Sequence, residues 1–400
     1  MRGGRVAIVG GSIAGCAAAL AAHRGGAEEI TVYERATGRL ADRGVGLAMH
    51  NDRYAELEAG GFVTTAMPWL QLTRRAWYVR DGSAPMGRRV GTLPFPFRTY
   101  NWGPLWRELR ARVPESVDFR PGAVVDQVDV GPDGVELRTA AGGSDRFDFV
   151  VGCDGYRSVV RAAACPEVRP QYAGYLAWRG AFPVERLPDE SRWPVEDCVY
   201  VVFEGGHAVI YRIPDGRGGH RVNWVLYAAP PSGHGLGLDS PTSLPPGTLT
   251  QELRAHARYL ADHHMPPFWG ELVRLTAPDE LFIQPMYDFT APRYATGRVA
   301  LSGDAATVAR PHTGGGAVKA LQDATALAGA LSSATTWPEA AAAYDAGRAA
   351  VGRGMVELGR GLGLGLVQRT PDWSAMDQTG LEAWWRQADG SNAFGGRRLV

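Results

Sequence analysis

Val6-Ala7-Ile8-Val9-Gly10-Gly11-Ser12-Ile13-Ala14-Gly15 is the stretch from which the fold is read. Four apolar residues running into glycine predict a strand buried on both faces of a parallel sheet. Ser12 to Arg24 reads as a helix, and the β-branched and aromatic run Ile30-Thr31-Val32-Tyr33, ending in Glu34, reads as a second strand. The three form a strand–helix–strand unit of the dinucleotide-binding type. Gly10, Ser12 and Gly15 follow G-x-G-x-x-G with serine in the second glycine position. Gly10 permits the tight turn, a small residue at 12 lets a pyrophosphate approach the backbone, and Gly15 allows close packing of helix on strand. Ile13 and Ala14 open the helix, whose N–H groups and dipole favour an anion. Glu34 is placed to accept hydrogen bonds from an adenosine ribose.

Two other readings of this stretch fail on spacing. A nucleophile elbow, G-x-S-x-G, needs glycine where Ala14 stands, and hydrolase elbows follow several strands. An export signal is suggested by Arg2 and Arg5 ahead of Val6–Leu20, but glycines interrupt that run, and it is shorter than the roughly 20 residues of a membrane span.

Outward from the N-terminus, the chain has 400 residues, 45% of them hydrophobic, which suffices for a large core and two domains. Lys+Arg 42 balance Asp+Glu 42, so there is no electrostatic case for a nucleic-acid partner. Cys16, Cys153, Cys165 and Cys198 show no CxxC spacing, which argues against a disulfide framework or zinc knuckle and fits a reducing, cytoplasmic location. The middle of the chain, with Ala76–Val79, Leu176–Phe182, Val199–Phe203, Ala208–Ile213 and Val222–Tyr227 separated by Gly/Pro turns, predicts an antiparallel sheet. Helical patterns return at Ala317–Leu331 and Pro338–Val367, with Pro311 and Pro338 as start signals. Gly233–Gly247 reads as a surface loop.

Two further segments extend the first motif. Phe149-Val150-Val151-Gly152-Cys153-Asp154-Gly155-Tyr156-Arg157 resembles the Asp-Gly motif of PHBH-type (class A) flavoprotein monooxygenases, and Gly297-Arg298-Val299-Ala300-Leu301-Ser302-Gly303-Asp304 their Gly-Asp motif. Within that family the resemblance is nearest to 2,6-dihydroxypyridine 3-hydroxylase-like enzymes, carried by Val9–Gly15, by Tyr172–Gly180, by Arg310-Pro311-His312 and by Asn392–Gly395. It implies an α/β fold with a Rossmann-like FAD domain (1–72, 99–172 and 284–370), a mostly antiparallel substrate sheet (73–98 and 173–283), C-terminal helices and a tail (371–400). It also implies FAD as cofactor, NADH or NADPH as reductant and O2 as co-substrate. The reaction implied is transfer of oxygen from a C4a-hydroperoxide of the flavin to an electron-rich aromatic or heteroaromatic small molecule.

Within that frame Asp304 is assigned to the ribitol hydroxyls, because a carboxylate at the end of an apolar strand requires donors. Asp154 and Gly155 either meet FAD or, for Asp154, cap the following helix. Pro311, Gly314, Gly315, Gly316 and Ala317 form a bare loop and helix start suited to the N1/O2 edge of the flavin. The family's asparagine after that loop is replaced by Val318. Trp102 stands where an arginine commonly meets the FAD phosphates, and Arg35, Arg43 or Arg107 is left to compensate. His312 and Tyr211 are the candidates for activating or orienting a substrate hydroxyl. Of Trp178 and Arg179, strand alternation turns one to the cavity and the other to the packed face. Lys319 is assigned to the helix surface, and His263-His264 to a solvated helix end, not a metal site. Epoxidation, oxidative rearrangement, decarboxylative hydroxylation and a non-catalytic flavin-containing ligand binder are the competing outcomes. No membrane partner is expected, and the oligomeric state stays open between monomer and homodimer.

Overall fold

The computed structural model describes residues 3–38, 46–233, 244–245, 248–390 and 393–396. The chain opens with β1 (Arg5–Val9), α1 (Ile13–Arg24) and β2 (Glu29–Glu34), the predicted unit. It continues through β3 (Gly46–His50), α2 (Asn51–Ala59), β4 (Leu70–Val79), β5 (Arg88–Asn101), α3 (Trp102–Arg112) and β6 (Asp118–Pro121). A small antiparallel sheet, β7 (Val125–Val130), β8 (Val135–Thr139) and β9 (Ser144–Phe147), precedes β10 (Phe149–Gly152) and the short α4 (Val159–Ala164). Then come β11 (Gln171–Pro183), β12 (Asp197–Phe203), β13 (Gly206–Pro214), β14 (His220–Ala228), α5 (Gln251–His264) and α6 (Pro267–Leu275). The last elements are β15 (Leu281–Thr290), β16 (Ala295–Thr296), β17 (Val299–Leu301), β18 (Thr307–Val308), α7 (Gly316–Ser333), α8 (Trp337–Gly363) and α9 (Gln378–Asp389).

The six-stranded sheet runs β16-β17-β10-β1-β2-β6, with β1 parallel to both β2 and β10, and β10 parallel to β17. All four residues of β10 and all three of β17 are buried, which is why they read as uninterrupted apolar runs. Helix α1 is rich in alanine, with ten buried residues, and packs between this sheet and α7. Three strand ends far apart in sequence, those of β1, β10 and β17, are therefore adjacent in space. Helix α8 begins at a capping box, the Thr336 side chain taking the Glu339 N–H and Glu339 the Thr336 N–H, with Pro338 in the first turn. The expected single helix to Val367 passes at Leu364–Gln368 into a π-helical turn.

The nine-stranded sheet, β18-β15-β11-β14-β13-β12-β4-β5-β3, is antiparallel except where β12 runs parallel to β4. Its two faces differ. One packs Trp178, Val199, Val201, Ile210, Trp224 and Leu226 under α5 and α6. The other carries Tyr175, Cys198, Tyr200, Tyr211, Val225, Tyr227 and Met286, and is closed by the end of α8, by α9 and by Phe394. Arg43 lies outside the described residues, as do Asn392 and most of the Gly233–Gly247 loop. Among the described residues no helix is long and apolar enough to cross a membrane.

Candidate functional site

A cavity of about 440 Å³ runs between the two sheets, from Ser12, Ile13 and Ala14 at the start of α1 to Arg179, Tyr211 and Gln284 on the large sheet. Its first half is built by glycines. Gly10 has φ +103°, and a Cβ on Gly15 would stand 1.8 Å from the Gly10 carbonyl oxygen, so only glycine lets α1 begin this close to the strand. The Ser12 side chain makes no capping bond, nor does any side chain at Gly315–Gly316–Ala317, where α7 begins. Both helices therefore present first-turn N–H groups without internal acceptors, and both line the same cavity. Asp304 opens onto the cavity beside them, and no described residue hydrogen-bonds its carboxylate. Protein surrounds that carboxylate on the remaining sides: burial raises its pKa, while Lys319 acts to lower it. Two uncapped helix N-termini and one acid with free acceptor oxygens match a pyrophosphate, a flavin edge and a ribityl chain, so these residues fit FAD.

Neighbouring motif residues act on the protein itself. The Glu34 carboxylate accepts the Gly11 N–H at 2.7 Å and the Ala36 N–H at 2.7 Å, which fixes the loop, while Arg35 is exposed. Asp154 accepts Ser158 Oγ at 2.5 Å and the Val159 N–H at 2.7 Å, the helix-capping arrangement, whereas Gly155 lines the cavity. Trp102 also lines it and stacks on Trp106, whose indole donates to the Gly11 carbonyl at 2.9 Å; Arg107 is exposed.

The second half is an aromatic chamber set by strand register. Tyr227 faces His207 and Val202 across β14, β13 and β12, and Arg179, Val225, Val209 and Tyr200 form the next rung on the same face. Burial pushes the His207 imidazole down to about 3. Its ring lies beside the Leu366 backbone, and neither nitrogen reaches hydrogen-bonding geometry. His312 is also buried and held well below the ordinary histidine range, first by burial and then by His207 and Arg310. Its Nε2 is paired with Tyr175 Oη at 2.7 Å, and Nδ1 is without a partner. Arg179 donates to Gln284 Oε1 at 3.3 Å and leaves Nε unpaired. Burial holds the Tyr211 phenol above its usual range, with Arg179 opposing.

Two expectations change. Trp178 is not a chamber residue: it is wholly buried on the opposite face, its indole donating to the Leu253 carbonyl at 3.3 Å, and Arg179 is the one of the pair that lines the cavity. Lys319 is not on the helix surface but 2% exposed, bonded to Asp323 at 2.5 Å, because the face of α7 that carries it turns inward. The tail beyond Thr370, left without an assigned structure by the sequence, forms α9 and returns Phe394 to the cavity wall. His207 and Phe394 escape sequence reasoning. A histidine between strand residues carries no periodic signal, and for Phe394 the only hint is the resemblance of its segment.

Comparison with known proteins agrees with this geometry. A family model described as FAD binding domain-like matches residues 172–288, and one described as FAD binding domain matches residues 254–358. The chain is 28% identical to the 2,6-dihydroxypyridine 3-monooxygenase of Paenarthrobacter nicotinovorans, over 81% of this chain and 82% of that one. It is 31% identical to the 3-amino-4-hydroxybenzoate 2-monooxygenase of Streptomyces cremeus, over 84% of this chain and 81% of that one. The solved structure of 2,6-dihydroxypyridine-3-hydroxylase from Arthrobacter nicotinovorans superposes with a TM-score of 0.80 at 25% identity, covering 94% of this chain and 96% of that one. With three strand ends converging on a flavin-sized cradle and relatives of this kind along most of its length, the chain belongs to the PHBH-type family of FAD-dependent aromatic monooxygenases.

Proposed function

We propose that this monooxygenase uses NADH or NADPH with O2 to hydroxylate an electron-rich aromatic or heteroaromatic ring bearing an oxyanion. The observation that carries the reading is the continuity of one cavity from the uncapped α7 N-terminus to a wall of aromatic side chains and a single arginine. When bound, FAD supplies the reduction and activation of oxygen; the chain supplies position, dryness and proton handling. Tyr200, Tyr227, Phe95, Phe97, Phe394 and Met286 offer flat apolar surface that excludes water and holds a ring. Arg179 is the one Lys/Arg cation among the described lining residues, with Tyr211 and Gln284 beside it, and it suits a carboxylate or ring oxyanion. His312, kept neutral, can accept a substrate hydroxyl at Nδ1 while Nε2 stays on Tyr175, which raises electron density on the ring.

The test is mass spectrometry of products from hydroxylated benzoates, pyridines and indoles with labelled O2 and the FAD-loaded protein. Labelled oxygen in a product, with ligand-stimulated NAD(P)H oxidation, is expected; a loaded protein that transfers none across the panel overturns the reading. For an accepted carboxylate substrate, Arg179→Gln is expected to raise KM about 10- to 100-fold and to leave the carboxamide analogue unaffected.

A further inference from the structure

A polar cluster lies buried directly beneath the turn that presents Asp304. Asp323 on α7 has no exposed surface, and its Oδ2 accepts both the Gly303 N–H at 3.0 Å and Lys319 Nζ at 2.5 Å. Its Oδ1 accepts Arg348 Nε of α8 at 2.7 Å. Lys319 Nζ also donates to the Gly303 carbonyl at 3.3 Å. Both main-chain polar groups of Gly303 are thus held, one by the acid and one by the lysine of a single pair, and the next residue is Asp304. Gly303 itself has φ +58°, and its Cβ would meet Ala14 of α1 at 2.8 Å, so the turn is tight against the glycine loop.

An apolar pair of equal volume would serve packing at least as well, since burying two charges carries a large desolvation penalty. The chain's one lysine sits here and nowhere else. What an apolar pair could not do is anchor a peptide at both its N–H and C=O, or balance a second acid one residue away. We propose that Lys319 is a positioning residue for FAD: through Asp323 and the Gly303 carbonyl it fixes the turn that aims Asp304 at the cofactor's hydroxyls, and its charge balances the two flanking acids.

The groups around this turn are Lys319 and Asp323 on α7, Arg348 and Tyr344 on α8, Tyr294 ahead of β16, and Cys153 and Asp154 after β10. Arg161 on α4 completes the set, donating to the Ala305 carbonyl at 3.1 Å. Of these, Lys319 and Asp323 act on Asp304 most directly. A ligand hydroxyl donates to the ionised carboxylate, so FAD binds less well as pH falls through the Asp304 titration. Loss of the Lys319 charge moves that titration upward.

The experiment is FAD release followed by flavin fluorescence from about pH 5 to 9. It compares the FAD-loaded protein with Lys319→Met, Lys319→Arg and Asp304→Asn. Lys319→Met is expected to move the acid limb of release up by about one pH unit, equivalent to about tenfold weaker binding on that limb. Lys319→Arg is expected to leave the limb in place, and Asp304→Asn to flatten it. Weakening by Lys319→Met that is equal at every pH, with no displacement of the limb, overturns the proposal and leaves a purely structural ion cluster. Should Lys319→Met fail to fold, Asp304→Asn decides, because an acid limb that persists without that carboxylate is equally fatal.

Discussion

At the scale of single residues, burial decides chemistry. His207 has no exposed surface, and folding pushes its imidazole from the ordinary 6.5 down to about 3. Between those values the unfolded chain binds a proton that the native chain does not. The His207 contribution to stability is therefore complete above about pH 6.5 and falls by about 1.4 kcal/mol per pH unit as pH drops from there towards about 3. His207→Phe is expected to remove that slope, read as the difference between denaturant unfolding curves collected through the acid range. Persistence of the full slope in the variant would place the proton elsewhere. Trp178 and Arg179 make a second contrast, adjacent in sequence and opposite in role. Trp178→Ala opens the closed face of the sheet and is expected to cost about 3–5 kcal/mol in the same unfolding measurement. Arg179→Gln, at the cavity, is expected to change stability little and ligand affinity much. Alternation along β11 was readable from sequence, but which face held the cavity was not, since that depends on α5 and α6 covering the other one.

At the scale of elements, two helix starts do most of the site's work and differ in what they tolerate. The α1 start is sterically closed: with Gly10 carbonyl 1.8 Å from the site of a Gly15 Cβ, Gly15→Ala must push helix from strand. We expect it to destabilise the protein by about 3 kcal/mol and to yield material that does not retain FAD. The α7 start is open, since a Cβ on Gly316 meets nothing within 4 Å. Gly316→Ala is therefore expected to fold normally, so that any loss of yellow colour on purification reports crowding of the cofactor and not of the protein. The first of these elements was legible from Gly10, Ser12 and Gly15 because a short-range turn has few solutions. Asp154 was not, because capping and cofactor contact both favour an acid after a strand, and the cap shows only in the Ser158 and Val159 bonds.

At the scale of the whole molecule, the chamber is finished by the chain's last described residues. Phe394 packs on Phe97 with ring centroids 5.6 Å apart and on Trp385 at 5.2 Å, and its N–H is held by Asp389 at 2.9 Å. It stands within 3.5 Å of where a Gly314 Cβ would lie, so the tail closes directly over the loop that leads into α7. Phe394→Ala is expected to admit water and to divert NAD(P)H oxidation from product to hydrogen peroxide several-fold. Peroxide yield per NAD(P)H, quantified alongside product, checks this; unchanged coupling would assign Phe394 to packing alone.

The N-terminal strand–helix–strand unit, the antiparallel middle, the closing helices and the identity of the cofactor followed from residue order, because each rests on local periodicity, on glycine sterics or on short motifs read within one stretch of chain. The inward turn of Lys319, the packing of the His207 ring against His312 and the return of Phe394 did not. They join residues from separate elements, and their environments exist only once the two sheets face each other and exclude water between them.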